Sequence, residues 1–408
     1  MRIAMIAYAF YECNSRMQQY ARSLAKRGDT VDIICLGETE YRAVDSERGV
    51  NIHGVQGRNF QEEGPGRLGY LWRIITFFVR ATITITRMHL EKPFDVIHVH
   101  SVPDFLVFTA VVPKISGASI ILDIHDILPE FYASKFGKPN TSFIFKLMVL
   151  AEKMSIAFSD HVIIANPIWR ERLLRRSAQP GKVTAIGNHP NPEIFFARPK
   201  ERSDDKLVML YPGTLNWHQG MDIAIQAFSK IVNEVPEAEF HIYGTGPEQQ
   251  NLEKLVQQLR IEDKIKFFKP VTTEGVAQVM SQADLAIVPK RSKSVFGTEA
   301  ASTKILEFMS VGTPVLISRT KIDSYYHTDA TVTFYDGDDV DELAKAMILL
   351  ARNPARRREQ AANALIYAQE QSWDRKKEVY FAIVDAAAAR RKSLPSSKRM
   401  EYDAKGTT

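Results

Sequence analysis

Along this chain, short runs of Ile, Val and Ala alternate with segments whose apolar residues recur every three or four positions. RIAMIAYA, TVDIICLG, DVIHVH, SIILDI, HVIIA and KVTAI read as strands, because each is a brief, β-branched apolar run bounded by polar residues or turn formers. Between the first two, RMQQYARSLAKRG carries the helical period instead. Strand, helix and strand in repetition predict a parallel sheet covered by helices on both faces. A second series of the same kind runs through KLVMLY, EFHIY, IKFF, DLAIV, PVLI and TVTF, with helices predicted in DIAIQAFSKIVNEV and TKILEFMSV. The pattern therefore predicts two doubly wound α/β domains. Ligands of such sheets bind outside the carboxyl ends of the strands, where strand order reverses, so two facing domains would enclose a cleft.

The rhythm breaks at NHPNPEIFFARPKERSDDK, where prolines and a charge cluster mark a linker. The expected layout is a first domain over 1–190, a linker over 191–205 and a second domain over 206–371. A helix over about 372–390 returns to the first domain, and a polar, aperiodic tail over 391–408 is expected to be disordered.

Length and composition agree with this plan. The 408 residues exceed what one core usually serves, and 45% hydrophobic with 25% charged residues is a globular composition. The net charge of +5, from 53 basic and 48 acidic residues, is too balanced for nucleic acid as the main ligand. Cys13 and Cys35 are the sole cysteines and form no framework, which points to a reducing cytoplasmic compartment. RIAMIAYAF follows only Arg2 as a charge and precedes no small-residue cleavage site, so it is expected to be a strand and not a leader. No window offers the roughly 18 uncharged apolar residues that a membrane span requires.

The chemistry concentrates in GTEAASTKILEFMSVGTPVL, which sets Glu299 and Glu307 eight positions apart with Lys304 between them. Ser302 or Thr303 can cap a helix from about Lys304 to Ser310, closed by Gly312 and Pro314, which leaves Glu299 in the preceding loop. Free N–H groups of the first turn suit a phosphate or pyrophosphate, and Lys304 adds a full charge. Lys304 and Glu307 also have the i, i+3 spacing of an ordinary surface pair. Against that, Ile305, Leu306, Phe308 and Met309 leave little of the helix facing solvent, and Glu307 completes no capping box.

Glu, seven residues, Glu, and then G-x-P-V resemble the signature of the retaining glycosyltransferases of family 4, which have the GT-B fold of two Rossmann-like domains. The resemblance implies that Glu307 binds the ribose hydroxyls of a nucleoside diphosphate sugar and Glu299 the hydroxyls of its sugar. Ser302, Thr303, Lys304 and Ile305 would cradle the diphosphate. YPGTLNWHQGMDIAIQAF resembles the family's Gly-rich turn and contributes Gly213 and Thr214. IYGTGPEQQNLEK resembles its G-x-G-P-E segment, with Gly244 and Gly246, and the strand after it leads to a base-contacting loop near Lys269. SWDRKKEVYFAIV resembles the helix that crosses back to the first domain. One departure stands out: most members carry an Arg and a Lys after the Gly-rich turn, and here Thr214 and Gln219 stand in those places. Lys304 is expected to supply the missing charge to the leaving diphosphate, with Lys290, Arg291 and Lys293 behind it. A subset of the family with a bacterial polysaccharide role shows a similar exchange.

In the first domain, LDIHDILPEFY puts His125 just past a strand end, where the family's active-site His meets the donor sugar. Asp126 and Glu130 lie close enough to contribute, and Asp126 equally suits an N-cap. His98 and His100 share one strand face but find no third ligand at matching spacing, which favours packing over metal. The loop AFYECNSRMQQY has no glycine, so a dinucleotide fingerprint is absent. Asn14, Ser15 and Arg16 fall at a helix start, where Arg16 either meets a phosphate or is a surface arginine. Asp336, Asp338, Asp339 and Asp341 read as turn and cap chemistry. No metal and no other cofactor is expected.

LWRIITFFVRATITITRMHL spaces Arg73, Arg80 and Arg87 by sevens beside a broad apolar surface, as does a membrane-interface helix or a helix packed into its own domain. SFIFKLMVLAEKMSIAF carries the same ambiguity. Taken together, the expectation is a retaining, metal-independent hexosyltransferase with His125, Glu299 and Lys304 at the reacting centre. Its partners would be a nucleotide sugar and a glycan or lipid-linked acceptor, in bacterial surface polysaccharide biosynthesis at the inner face of the plasma membrane. A sugar-nucleotide epimerase of the same fold and a non-catalytic nucleotide-sugar-binding protein use the same residues and stay open.

Overall fold

The computed structural model describes residues 1–37, 42–45, 49–57, 67–137, 139–293 and 295–392. Of the expected tail, 391 and 392 continue a helix and the rest lies outside the described residues. The chain divides into two compact units, one formed by Met1–Asn188 with the segment from Lys376 onward, the other by His189–Arg375.

The sheet of unit 1 contains β1 (Arg2–Phe10), β2 (Thr30–Leu36), β3 (Arg42–Asp45), β4 (Val50–Gln56), β5 (Val96–His100), β6 (Ser119–Ile124), β7 (His161–Ile164) and β8 (Val183–Ala185). Their order is β3-β4-β2-β1-β5-β6-β7-β8, with β3 antiparallel to β4 and every other pair parallel. The pattern of apolar runs does not predict β3 and β4. VNIHGVQ alternates buried with half-buried positions because β4 lies near the sheet edge, so it lacks the continuous apolar run of a central strand. Strand order reverses between β1 and β5. Register sets Ala7 beside His100 and His100 beside Asp123, which brings two polar side chains together at the carboxyl ends of β5 and β6.

The helix Trp373–Lys392 belongs to the packing of this unit. Tyr380 is fully buried, its ring stacks on Tyr20 with centroids 4.1 Å apart, and its hydroxyl hydrogen-bonds His98 Nδ1 at 3.0 Å.

Unit 2 contains β9 (Leu207–Pro212), β10 (Ala238–Tyr243), β11 (Ile265–Phe268), β12 (Leu285–Val288), β13 (Val315–Ser318) and β14 (Thr333–Tyr335). All pairs are parallel in the order β11-β10-β9-β12-β13-β14, and the reversal falls between β9 and β12. One core cluster joins Phe228, Phe240 and Leu343, and another joins Phe308, Ile305, Ile317 and Val288. The helix Thr303–Ser310 thus buries Ile305, Phe308 and Met309 in the second cluster, which fixes the direction of its remaining side chains.

Phe308→Ala should lower the stability of unit 2 by about 3–5 kcal/mol, since the ring is closed in on all sides. A urea titration followed by circular dichroism checks this; a midpoint unchanged from wild type would show that the helix is not anchored this way.

Candidate active site

At the reversal point of unit 2 two glycines follow two neighbouring strands, Gly213 after β9 and Gly244 after β10. Their φ angles of +146° and +147° exclude side chains, and so does the space around them. A Cβ on Gly244 would lie 1.9 Å from the Gly213 carbonyl oxygen, and one on Gly213 would lie 2.3 Å from Lys304 Cε. The lysine stem therefore rests against the turn, with Nζ 5.4 Å from the centre of the buried Tyr211 ring. The Tyr211 hydroxyl donates to the Thr214 carbonyl at 3.1 Å and closes the turn. At Gly246 a Cβ would lie 2.4 Å from the Leu215 carbonyl oxygen, so the second glycine turn is as tight as the first.

The helix carrying Lys304 begins at Thr303, one residue ahead of the expected start, with Ser302 at the cap position. Ser302 makes no side-chain cap bond, so the first-turn amides next to Thr303, Lys304 and Ile305 keep their donors free of it. Lys304 and Glu307 are half-buried, and among the described residues neither side chain makes a hydrogen bond or an ion pair. Burial pushes the Lys304 ammonium below its ordinary value, and Lys290 adds to this while Glu307 opposes it. Burial pushes Glu307 up to about 7 against the pull of Lys304. Burial thus opposes the charge of both groups, a cost that an anion beside Lys304 and hydroxyls beside Glu307 would offset.

The other residues of the expected donor site fall as follows. Glu299 ends a short helix, Val295–Glu299, where a loop was expected; its carboxylate is buried and pairs with Lys321 at 3.2 Å. Lys290 is buried too, and it is spent on Asp323 at 2.8 Å and on the Ala300 carbonyl at 2.6 Å. Arg291 donates to Asp222 at 2.6 Å and to the Trp217 carbonyl at 3.1 Å, with its guanidinium 4.3 Å from the Trp217 ring centre. Of these cations, Lys304 faces only the Tyr211 ring and makes no side-chain hydrogen bond or ion pair among the described residues, while Lys290 and Arg291 are paired with Asp323 and Asp222. Thr214 and Lys269 are exposed, Lys269 directly after β11 and beside the stacked Tyr243 and Phe268 rings.

In unit 1 the strand ends hold a different arrangement. Arg16 is buried, which removes the surface-arginine alternative, and its guanidinium forks onto Asp123 at 2.7 and 2.9 Å. It also donates to the Gly187 carbonyl and the Asn188 side chain. Against its own burial, Asp123 is held well below the usual carboxylate range by Arg16, His125 and His100. His125 follows β6 directly, with Nε2 3.3 Å from Asp123 Oδ2. His98, His100 and Asp123 place one ligand atom each within 4.8 Å of one another. The third ligand that the spacing of the two histidines did not provide thus comes from the neighbouring strand. Both carboxylate oxygens, however, already accept from Arg16, so the charge of Asp123 is balanced by protein.

Ser15 is exposed and opens the helix Ser15–Lys26, with Asn14 as its cap. Asp126 does not cap the helix Leu128–Phe136, because the cap position belongs to Ile127, and burial raises its carboxyl above the ordinary value. Glu130 pairs with Arg176 deeper in the unit. Asp339 does cap Val340–Arg352, accepting from Asp341 and Glu342.

Two family models match in succession: a glycosyl transferase 4-like domain over residues 13–189, and glycosyl transferases group 1 over residues 193–367. The fold is also that of the Anabaena protein Alr3699/HepE solved in complex with UDP and glucose, with a TM-score of 0.71 at 16% identity over 94% of this chain and 100% of that one. The chain belongs to the glycosyltransferases of GT-B fold. This glycosyltransferase is 25% identical over 421 residues to D-inositol 3-phosphate glycosyltransferase of Stackebrandtia nassauensis, covering 95% of this chain and 90% of the relative. It is 27% identical over 168 residues to the phosphatidylinositol N-acetylglucosaminyltransferase gpi3 subunit of Schizosaccharomyces pombe, a match spanning 41% of this chain and 36% of that protein.

The raised carboxyl of Glu307 has a measurable signature. The folded glycosyltransferase holds this proton more tightly than the unfolded chain, whose value is near 4.5, so the associated stability is present below about pH 4.5 and lost as pH rises through about 7. Glu307→Gln should flatten the decline in thermal midpoint across that window; equal slopes in both proteins would contradict the burial assigned to this group.

Proposed function

We propose that this glycosyltransferase moves a hexose, with retention of configuration and without a metal ion, from a nucleoside diphosphate sugar to a glycan or lipid-linked acceptor of bacterial surface polysaccharide. The observation that carries the reading is Lys304, a cation laid against the Gly213 turn with no side-chain hydrogen bond or ion pair among the described residues. Glu307 stands one helical turn further on. In this reading the ammonium and the first-turn amides hold the diphosphate, and Glu307 accepts from the ribose hydroxyls. Glu299 and His125 meet the sugar. The bond from the anomeric carbon to the β-phosphate oxygen breaks, the acceptor oxygen bonds to that carbon, and its proton leaves on the departing diphosphate. Charge builds on the leaving oxygens in the transition state, where a preplaced ammonium stabilises it most. HepE, solved with UDP and glucose, makes UDP the first nucleotide to test.

Two helices of unit 1 support contact with a lipid surface. Arg67–Glu91 exposes Trp72, Leu71 and Val79 while burying Phe77, Ala81 and Ile85, and Phe143–Phe158 exposes Phe143, Leu147 and Met154. Both pack against the segment Asp104–Ala110, with Arg80, Arg87 and Lys146 exposed along them. Among the described residues no helix is long and apolar enough to cross a membrane, so the contact proposed is interfacial.

Lys304→Ala and Glu307→Ala should each cut transfer by roughly 10²–10³-fold with the circular dichroism spectrum unchanged, and the stabilisation of the fold by UDP should fall with them. Wild-type turnover in both would sink the site. Proton NMR of the product tests retention through the anomeric coupling constant, and turnover after dialysis against EDTA tests independence from metal. Vesicles containing anionic phospholipid should sediment the wild-type protein and release the Trp72→Glu, Phe143→Glu double variant; equal sedimentation of the two would remove the lipid contact.

A further inference from the structure

We infer that Asp123 is a positioning residue for transfer, holding His125 with its Nε2–H turned inward and its Nδ1 bare to accept a hydrogen bond from a sugar hydroxyl. The inference rests on the reading of His125 as the group that meets the transferred sugar.

Asp123 lies in β6 and His125 directly follows that strand, two positions on, with the imidazole 3.3 Å from the carboxylate. Asp123 has no exposed side-chain surface, and the Arg16 fork occupies both of its oxygens. A carboxylate in that setting is ionised and can only accept. Any imidazole nitrogen within reach must then approach as N–H. Two do so: His125 Nε2 and His100 Nδ1 each lie 3.3 Å from Asp123 Oδ2. These two nitrogens are also 3.2 Å apart, within hydrogen-bond range of each other, and the ionised carboxylate, a stronger acceptor than a neutral imidazole nitrogen, draws both protons. With a single proton, the His125 ring carries it on Nε2, and Nδ1 keeps its lone pair.

The main chain is pinned as well. The His125 N–H donates to Ser101 Oγ at 3.1 Å, so the ring is held from its inner nitrogen and from its backbone. His125 keeps 22% of its side-chain surface accessible whereas Asp123 and His100 keep none, so the edge offered to a ligand is the one away from the carboxylate. An acceptor there recognises a hydroxyl and repels an oxyanion, which suits a contact to the sugar and not to the diphosphate.

The experiment is nitrogen-15 NMR of the full-length protein labelled at histidine, with the His125 resonances identified by their loss in His125→Gln. The wild type should show the Nε2–H tautomer; an Nδ1–H ring would overturn the inference without any variant being needed. Asp123→Asn should mix or reverse the tautomer and lower kcat by about one to two orders of magnitude, with the donor KM changed less than about threefold. Unchanged tautomer and kcat would overturn it. Because Asp123→Asn leaves Arg16 buried without its counter-charge, the double variant Arg16→Met, Asp123→Asn, which buries no lone charge, is measured beside it. Wild-type kcat in His125→Ala is a separate failure: it would remove His125 from transfer, whereas an Nδ1–H ring in the wild type would remove only the positioning by Asp123.

Discussion

The stem of Lys304 occupies the space that a side chain on Gly213 would need, and most of the donor end of unit 2 follows from that contact. Because Gly213 and Gly244 lack Cβ atoms, two consecutive turns close on each other and on the lysine at distances no other residue permits. The helix behind them cannot yield, since Ile305, Phe308 and Met309 are locked into the core. A cation is thereby held at a fixed place without being neutralised. Energy that an ion pair within the protein would recover is instead available to a bound anion.

The two units handle buried charge in opposite ways. In unit 2 the ammonium and the carboxylate of the Lys304 helix make no hydrogen bond or ion pair among the described residues, and burial moves both toward neutrality. In unit 1 Asp123 is surrounded by one guanidinium and two imidazoles, and its charge is retained. The first arrangement is poised to change when something binds, and the second is rigid. A ligand-contacting histidine benefits from the second kind of support, because orientation fixed before binding costs nothing at the moment of reaction.

Much of this could be read in the sequence. Twelve of the strands announce themselves as apolar runs, and Glu299, Lys304 and Glu307 draw attention because charge in an apolar helix needs a reason. What stayed hidden is what depends on neighbours distant in the chain. Asp123 lies inside a run that reads as plain strand, and only the pairing of β5 with β6 brings it to His100. Arg16 reads as a phosphate contact or a surface arginine until the fold wraps it, over more than a hundred positions, onto that carboxylate. Arg291 resembles a free cation until Asp222 and Trp217 are found against it. The edge strand β3 and its neighbour β4 escape notice for a simpler reason, since strands at the margin of a sheet need no continuous apolar run.

The burial of Tyr380 carries a consequence for how the chain acquires its shape. Unit 1 is discontinuous: its first part ends at Asn188, and the helix that stacks Tyr380 on Tyr20 and bonds His98 is made only after the whole of unit 2. During synthesis the usual order, in which the leading domain completes itself first, is therefore inverted. Unit 2 is continuous and can close as soon as it clears the ribosome, while the earlier-made half waits with Tyr20 and its histidines uncovered. A ribosome stalled near residue 375 would present a finished second unit behind an open first one, and chaperones would find their exposed surface at the older end of the chain.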